Sequence, residues 1–261
     1  MARLGIWKRA KLSPLKAARE RFGASILLCS LVATAAAARD APPLPPRRPN
    51  LPQASKPVET KPAEAKPPPE TTKPAEAVET CFDNLRAAGV LFEQTPAPAA
   101  PLDGCGINAP VRLSALKLGD RRVAFNGTPQ LDCPFAIQFA DFVKNLAAPL
   151  GAATMEAPLV AIDSGPGYEC RGRNRQTGGK LSAHGKGIAI DLSAFIFSNG
   201  RKVAVEKQDD PQSTAYFKTL RTAACGWFTT VLGPGSDAAH ANHLHVDIER
   251  HGSSDAYRIC Q

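Results

Sequence analysis

The chain is 261 residues long and carries a formal net charge of +8, with a sequence pI near 9.2. Most of that charge lies ahead of Ser25, where Arg3, Lys8, Arg9, Lys11, Lys16, Arg19 and Arg21 stand against the single acid Glu20. Without this segment the formal charge is about +2, so the basic pI does not signify a nucleic-acid partner, which needs a basic face on the folded part.

In chain order, residues 1–38 read as a secretory signal peptide. A basic n-region is followed by an uncharged run, Ala24 to Ala38, that ends in small residues of the A-x-A kind. The run is shorter than the ~20 residues of a membrane span, so the mature protein has no transmembrane helix unless the signal stays uncleaved. Residues 39–80 read as a proline-rich disordered linker, because Ala41 to Thr80 holds 12 of the chain's 24 prolines and no aromatic residue. Such a segment cannot bury enough apolar surface to offset the ordering of its backbone, and its prolines favour an extended spacer. Residues 81–261 have the size of one domain with its own core.

The first element of that domain is a short helix from about Phe82. "VRLSAL" and "RRVAFN" alternate as strands on either side of a Gly119-Asp120 turn. "CPFAIQFADFVKNLAAPLGA" is the strongest helix signal, with Pro134 in the first turn after Asp132 and Phe135, Phe139, Val143 and Leu146 recurring at helical spacing. "LVAID" and "IAIDLSAFIF" follow as strands, then a helix from about Gln212 to Ala224, then the strand "HLHVDIER". With no regular βαβ alternation and no phosphate-binding glycine loop, the expected class is α+β, an antiparallel or mixed central sheet with flanking helices.

Cys81, Cys105, Cys133, Cys170, Cys225 and Cys260 form an even set spread through the domain. Behind an export signal they predict up to three disulfides and a disulfide-stabilised fold. The pairing stays open, with Cys225 the expected partner of Cys170. No two stand as C-x-x-C, which argues against a thiolate zinc site.

Two stretches carry chemistry. In "HLHVDIE" the alternation sends Leu244, Val246 and Ile248 to the core and His243, His245 and Asp247 to the other face. In "LSAHGKGIAID" the same alternation places Ile188, Ile190 and Leu192 inward and Gly187, Ala189 and Asp191 outward, with His184 in a turn before the strand. If the two strands are neighbours, His184, Asp191 and His245 meet. Two imidazoles and a carboxylate suit Zn²⁺ and leave a fourth position open, as catalytic sites do. His243, beside a complete ligand set, is then a general base or an electrostatic stabiliser.

The pattern Ser182-x-His184-x-x-Gly187-x-Ala189-x-Asp191 with His243-x-His245 resembles the signature of zinc D-alanyl-D-alanine carboxypeptidases and murein endopeptidases of the Hedgehog/D,D-peptidase fold. The proline-rich lead, the six cysteines and "CGWFTTVLGPGSDAAHANHLHVDI" resemble bacterial proteins with an extensin-like C-terminal domain. The resemblance implies one Zn²⁺ held by His184, Asp191 and His245, with His243 at the catalytic position and His240 as a further active-site histidine. It implies a substrate-binding role for Ser182 and for an arginine near "GYECRGRN", either Arg171 or Arg173, since Glu169 and Cys170 interrupt the peptidases' Gly-Tyr-Arg segment. A glutamate base in an E-x-x-H pattern does not apply, because Asn242 stands at that position. The implied activity is hydrolysis of peptidoglycan stem-peptide or crosslink amide bonds in the periplasm or cell envelope. The alternatives are a non-catalytic peptidoglycan-binding module and a structural envelope protein that keeps the fold.

Overall fold

The structure, a computed structural model, describes residues 74–176, 178–253 and 257–261. The expected signal peptide and the part of the expected linker before Pro74 lie outside the described residues. Helix α1 (Pro74–Ala87) begins ahead of the Cys81 boundary that composition suggests. Proline content hides this start: at the first helical position a missing N–H removes no helical hydrogen bond. Phe82 and Leu85 then bury the helix against the domain.

The next elements are β1 (Val90–Gln94), β2 (Pro110–Leu118), β3 (Arg121–Phe125) and β4 (Gln130–Asp132). The Gly119-Asp120 turn joins β2 to β3 as expected. Helix α2 (Cys133–Phe142) runs through a π-helical turn, Val143–Ala147, into α3 (Ala148–Thr154). The expected single helix is therefore continuous in path but not in hydrogen bonding. Pro149 cannot donate to the carbonyl four residues back, and the wider turn sits just ahead of it. Strands β5 (Leu159–Ser164), β6 (Ala189–Phe197) and β7 (Lys202–Ala204) follow, then α4 (Pro211–Ala224), β8 (Thr230–Leu232), β9 (Leu244–Asp247) and β10 (Ile259–Cys260).

The ten strands of the described residues form one mixed sheet in the order β1-β2-β3-β5-β6-β9-β8-β10, with β4 on β2 and β7 on β6. The β3–β5 and β8–β10 pairs are parallel and the others antiparallel. Strand β6 is the hub. Asp163 pairs with Ala194 and Ser164 with Leu192, which leaves Ser193 as a bulge residue. The extra residue resets the alternation, so Ile190, Leu192, Phe195 and Phe197 all join the core. The same point divides the edge of β6 between β9, on Ala189–Leu192, and β7, on Ala194–Ile196.

The core lies between the helices and the apolar side of the sheet. Phe135, Phe139 and Phe142 of α2 are fully buried, and Tyr216 of α4 packs edge-on against Phe195 and Phe197 at 5.6 and 5.2 Å. The Tyr216 hydroxyl donates to the Ala147 carbonyl in the π turn, so the one polar atom of this ring is satisfied. Leu244 and Val246 of β9 face the same core, which leaves alternate residues of β6 and β9 to the opposite side.

All six domain cysteines are paired: Cys81–Cys133, Cys105–Cys170 and Cys225–Cys260. Cys170 therefore bonds Cys105 and not Cys225. Cys225 caps α4 in the helical layer, where β10 returns to it, whereas Cys170 lies on the arm before His184. Three disulfides fit a domain that folds in an oxidising compartment. Replacing Cys105 and Cys170 together by alanine should lower the unfolding free energy by about 2 to 4 kcal/mol, read by urea denaturation. The unreduced, denatured domain should show no reactive thiol among these six.

Candidate functional site

The floor of the site is a cross-strand pair. Asp191 of β6 lies directly opposite His245 of β9, so both side chains leave the sheet on the same side, away from the core. Two residues along, on the same face, Ala189 pairs with Asp247. His184 comes from the 3₁₀ turn Ala183–Lys186 before β6. Three ligand-type atoms converge: His184 Nε2 is 3.1 Å from His245 Nδ1 and 3.2 Å from Asp191 Oδ1, and His245 Nδ1 is 2.9 Å from Asp191 Oδ1. The three residues expected to meet do so.

Hydrogen bonds fix which atoms face inward. His184 donates from Nδ1 to the Gly167 carbonyl at 2.7 Å, and His245 donates from Nε2 to Asp247 Oδ2 at 3.0 Å. Each histidine thus turns a lone pair toward Asp191, an arrangement in which outer partners set the tautomer of potential metal ligands. Three lone pairs at these distances repel unless a proton or a cation lies among them. Their spacing is slightly tighter than the roughly 3.3 Å between ligands of a tetrahedral ion with 2.0 Å bonds. The N₂O donor set and the inward lone pairs fit a borderline divalent cation such as Zn²⁺, and these three residues could hold one.

Without a cation, a proton takes that role. Burial alone would lower the His245 value, but the Asp191 and Asp247 carboxylates outweigh it and push it up to about 9. Burial works against ionisation of Asp191 too, yet His184 and His245 hold its carboxyl well below the usual carboxylate range. These are one interaction seen from both ends and count once.

The remaining expected residues surround this floor. His243 lies just ahead of β9 and points its Nε2 to 3.5 Å from Asp191 Oδ1, while its Nδ1 donates to Asn242 Oδ1 at 2.9 Å. His240 sits in the 3₁₀ turn Ala238–His240, its Nδ1 held at 2.7 Å by Asp237, with its ring 5.3 Å from that of His243. Ser182 caps the His184 turn, its Oγ accepting from the His184 backbone N–H at 3.4 Å, and it also lines the cleft. Arg171 pairs with Glu169 at 2.7 Å, and Glu169 also binds Arg175. Arg173 lines the cleft with no side-chain partner among the described residues. The cleft above the floor measures about 460 Å³.

Gly187, expected on the outward face of the strand, instead ends the His184 turn ahead of β6. Its φ is +68°, and a Cβ there would lie 2.8 Å from Ile107, so glycine serves the turn and its packing. Asp237, Thr230 and His251, which belong to neither ligand motif, also line the cleft. Their contacts depend on loop paths that no periodicity reports.

The family model described as extensin-like protein C-terminus matches residues 79–261, and the chain belongs to that family. No curated protein and no solved structure matches it. No helix of the described residues is long and apolar enough to cross a membrane.

The His245 proton predicts a pH dependence for the metal-free chain. Its folded value of about 9 lies above the ordinary 6.5, so the stabilisation is fully present below about pH 6.5 and is lost as pH rises through 9. The urea midpoint of chelator-treated protein should fall across that window, and the fall should be flattened in His245→Asn.

Proposed function

We propose that this domain is an exported, zinc-dependent peptidase that hydrolyses amide bonds in peptidoglycan stem peptides or crosslinks, acting in the periplasm or cell envelope. The observation that carries the reading is the convergence of His184 Nε2, Asp191 Oδ1 and His245 Nδ1 beneath an arginine-lined cleft, with His243 beside a donor set that is complete without it. The motif resemblance to D,D-peptidases supports the same chemistry and, with it, a Hedgehog/D,D-peptidase-like architecture for the mixed sheet.

A Zn²⁺ ion held by the three residues would supply Lewis acidity and lower the pKa of water toward ~7. The chain's own groups do the rest. His243 spends its Nδ1–H on Asn242, which leaves its Nε2 lone pair facing the site to accept a proton from the attacking water. The same nitrogen can return that proton to the leaving amine. His240, oriented by Asp237, stands close enough to His243 to stabilise charge that develops on the reacting amide. Arg171 is already engaged by Glu169, so the unpaired Arg173 is the better candidate to capture a substrate carboxylate by a charge-assisted pair. Glu169 and the Cys105–Cys170 bond hold the arm that presents both arginines.

Incubating the full chain with purified peptidoglycan and weighing the products tests the proposal. His245→Ala should abolish both Zn²⁺ retention and cleavage. His243→Ala should retain Zn²⁺ and lose roughly 10²- to 10⁴-fold in turnover. Arg173→Ala should raise KM more than Arg171→Ala does. Co-sedimentation with peptidoglycan and no released fragment would replace the peptidase by the binding module.

A further inference from the structure

His251 is the histidine that neither ligand motif takes up, and it lines the cleft wall. Its Nε2 lies 2.7 Å from Thr230 Oγ1. The Thr230 hydroxyl lies close enough to the Asp247 carboxylate to help hold it ionised, and Asp247 Oδ2 accepts from His245 Nε2 at 3.0 Å. Thr230 and Asp247 are directly opposite each other on β8 and β9, so the sheet register itself brings them together. Four side chains thus form one polar run, from the cleft wall to the ring of a ligand-type histidine. Thr230, Asp247 and His245 are all buried.

The donors in this run can be assigned. An ionised carboxylate only accepts, and Asp247 Oδ1 already takes the Glu249 backbone N–H at 2.9 Å. Thr230 has one hydroxyl proton; turned toward Asp247, it leaves a lone pair for the His251 Nε2–H. Asp247 then has the His245 Nε2–H as its remaining strong donor, which fixes that ring. A hydroxyl without the His251 bond is free to rotate, and the carboxylate loses a fixed neighbour.

We infer that His251 and Thr230 are positioning residues for the metal centre: through Asp247 they hold His245 with its Nε2–H directed away from the site and its Nδ1 lone pair toward His184 and Asp191. The inference rests on the metal reading of that centre. It assigns the fifth histidine a part in metal binding without contact with the metal, and it ties the segment after β9 to the site.

The test uses the full chain labelled with ¹⁵N-histidine and two readouts, the exchange-protected Nε2–H resonance of His245 and Zn²⁺ affinity by competition with a chromophoric chelator. Thr230→Val and His251→Phe should lose protection of that proton and weaken Zn²⁺ binding by about tenfold, the low end for outer partners of metal ligands. Thr230→Ser and His251→Gln, which keep a hydroxyl and an N–H donor, should restore both. Folded valine and phenylalanine variants with parental protection and affinity would overturn the inference. Should neither fold, the parent decides: a His245 Nε2–H that exchanges like an exposed imidazole overturns it, and a protected one supports it. A parent that takes up no Zn²⁺ sinks the metal reading, while the His245 proton still judges the polar run.

Discussion

The site depends on the register between β6 and β9. Asp191 meets His245 because Ile190 and Leu192 on one strand, and Leu244 and Val246 on the other, are committed to the core. A slip of one residue would turn the apolar set outward and send both ligand-type side chains into the helices, a change that burial strongly opposes. The hydrophobic pattern therefore positions the chemistry. The Ser193 bulge confines this demand to the first half of β6, so the second half can bury Phe195 and Phe197 without moving Asp191.

His184 has no strand to hold it, and its position is set by backbone instead. Its ring reaches the Gly167 carbonyl, and the segment around Gly167 is fastened to β4 by Gln130, which donates to Pro166 and accepts from Tyr168. Gly167 has φ of +78°, and a Cβ there would lie 2.5 Å from the Gln130 carbonyl oxygen, so no other residue fits without moving the acceptor of the His184 bond. The Gly106 N–H donates to the Gly185 carbonyl, and Cys105–Cys170 closes the same region covalently. A loop that presents a ligand-type histidine is thus held about as firmly as a strand.

What could be read from sequence was what alternation and spacing encode. The H-x-H strand and the glycine-flanked His and Asp implied a shared face, and the structure brings His184, Asp191 and His245 together. The α+β class and the long helices followed from periodicity. Contacts made by topology were not legible. Cys170 pairs with Cys105 because the cleft arm passes the segment before β2, and His251 reaches Thr230 because the chain turns back along β8 after β9. Short strands such as β7, β8 and β10 contain too few residues to show a period, and β10 is recognised only by its parallel neighbour. The π turn just ahead of Pro149 was not legible either, because a proline's effect on a helix depends on packing.

The site is also an energetic exception within the domain. His184, His245 and Asp247 are each less than a tenth exposed, where apolar side chains of similar volume would commonly give equal or greater stability. Mutual pairing offsets their desolvation only in part, because an array of lone pairs around Asp191 calls for a positive charge. Asp191 and Asp247 are both held ionised, with causes that include the neighbouring histidines. With the histidines neutral, these two carboxylates leave the buried group doubly negative, and a divalent cation balances that charge where a proton balances half of it. The arrangement that is least favourable as a plain core is thus one that a divalent cation would balance, which fits the metal-site reading proposed for it.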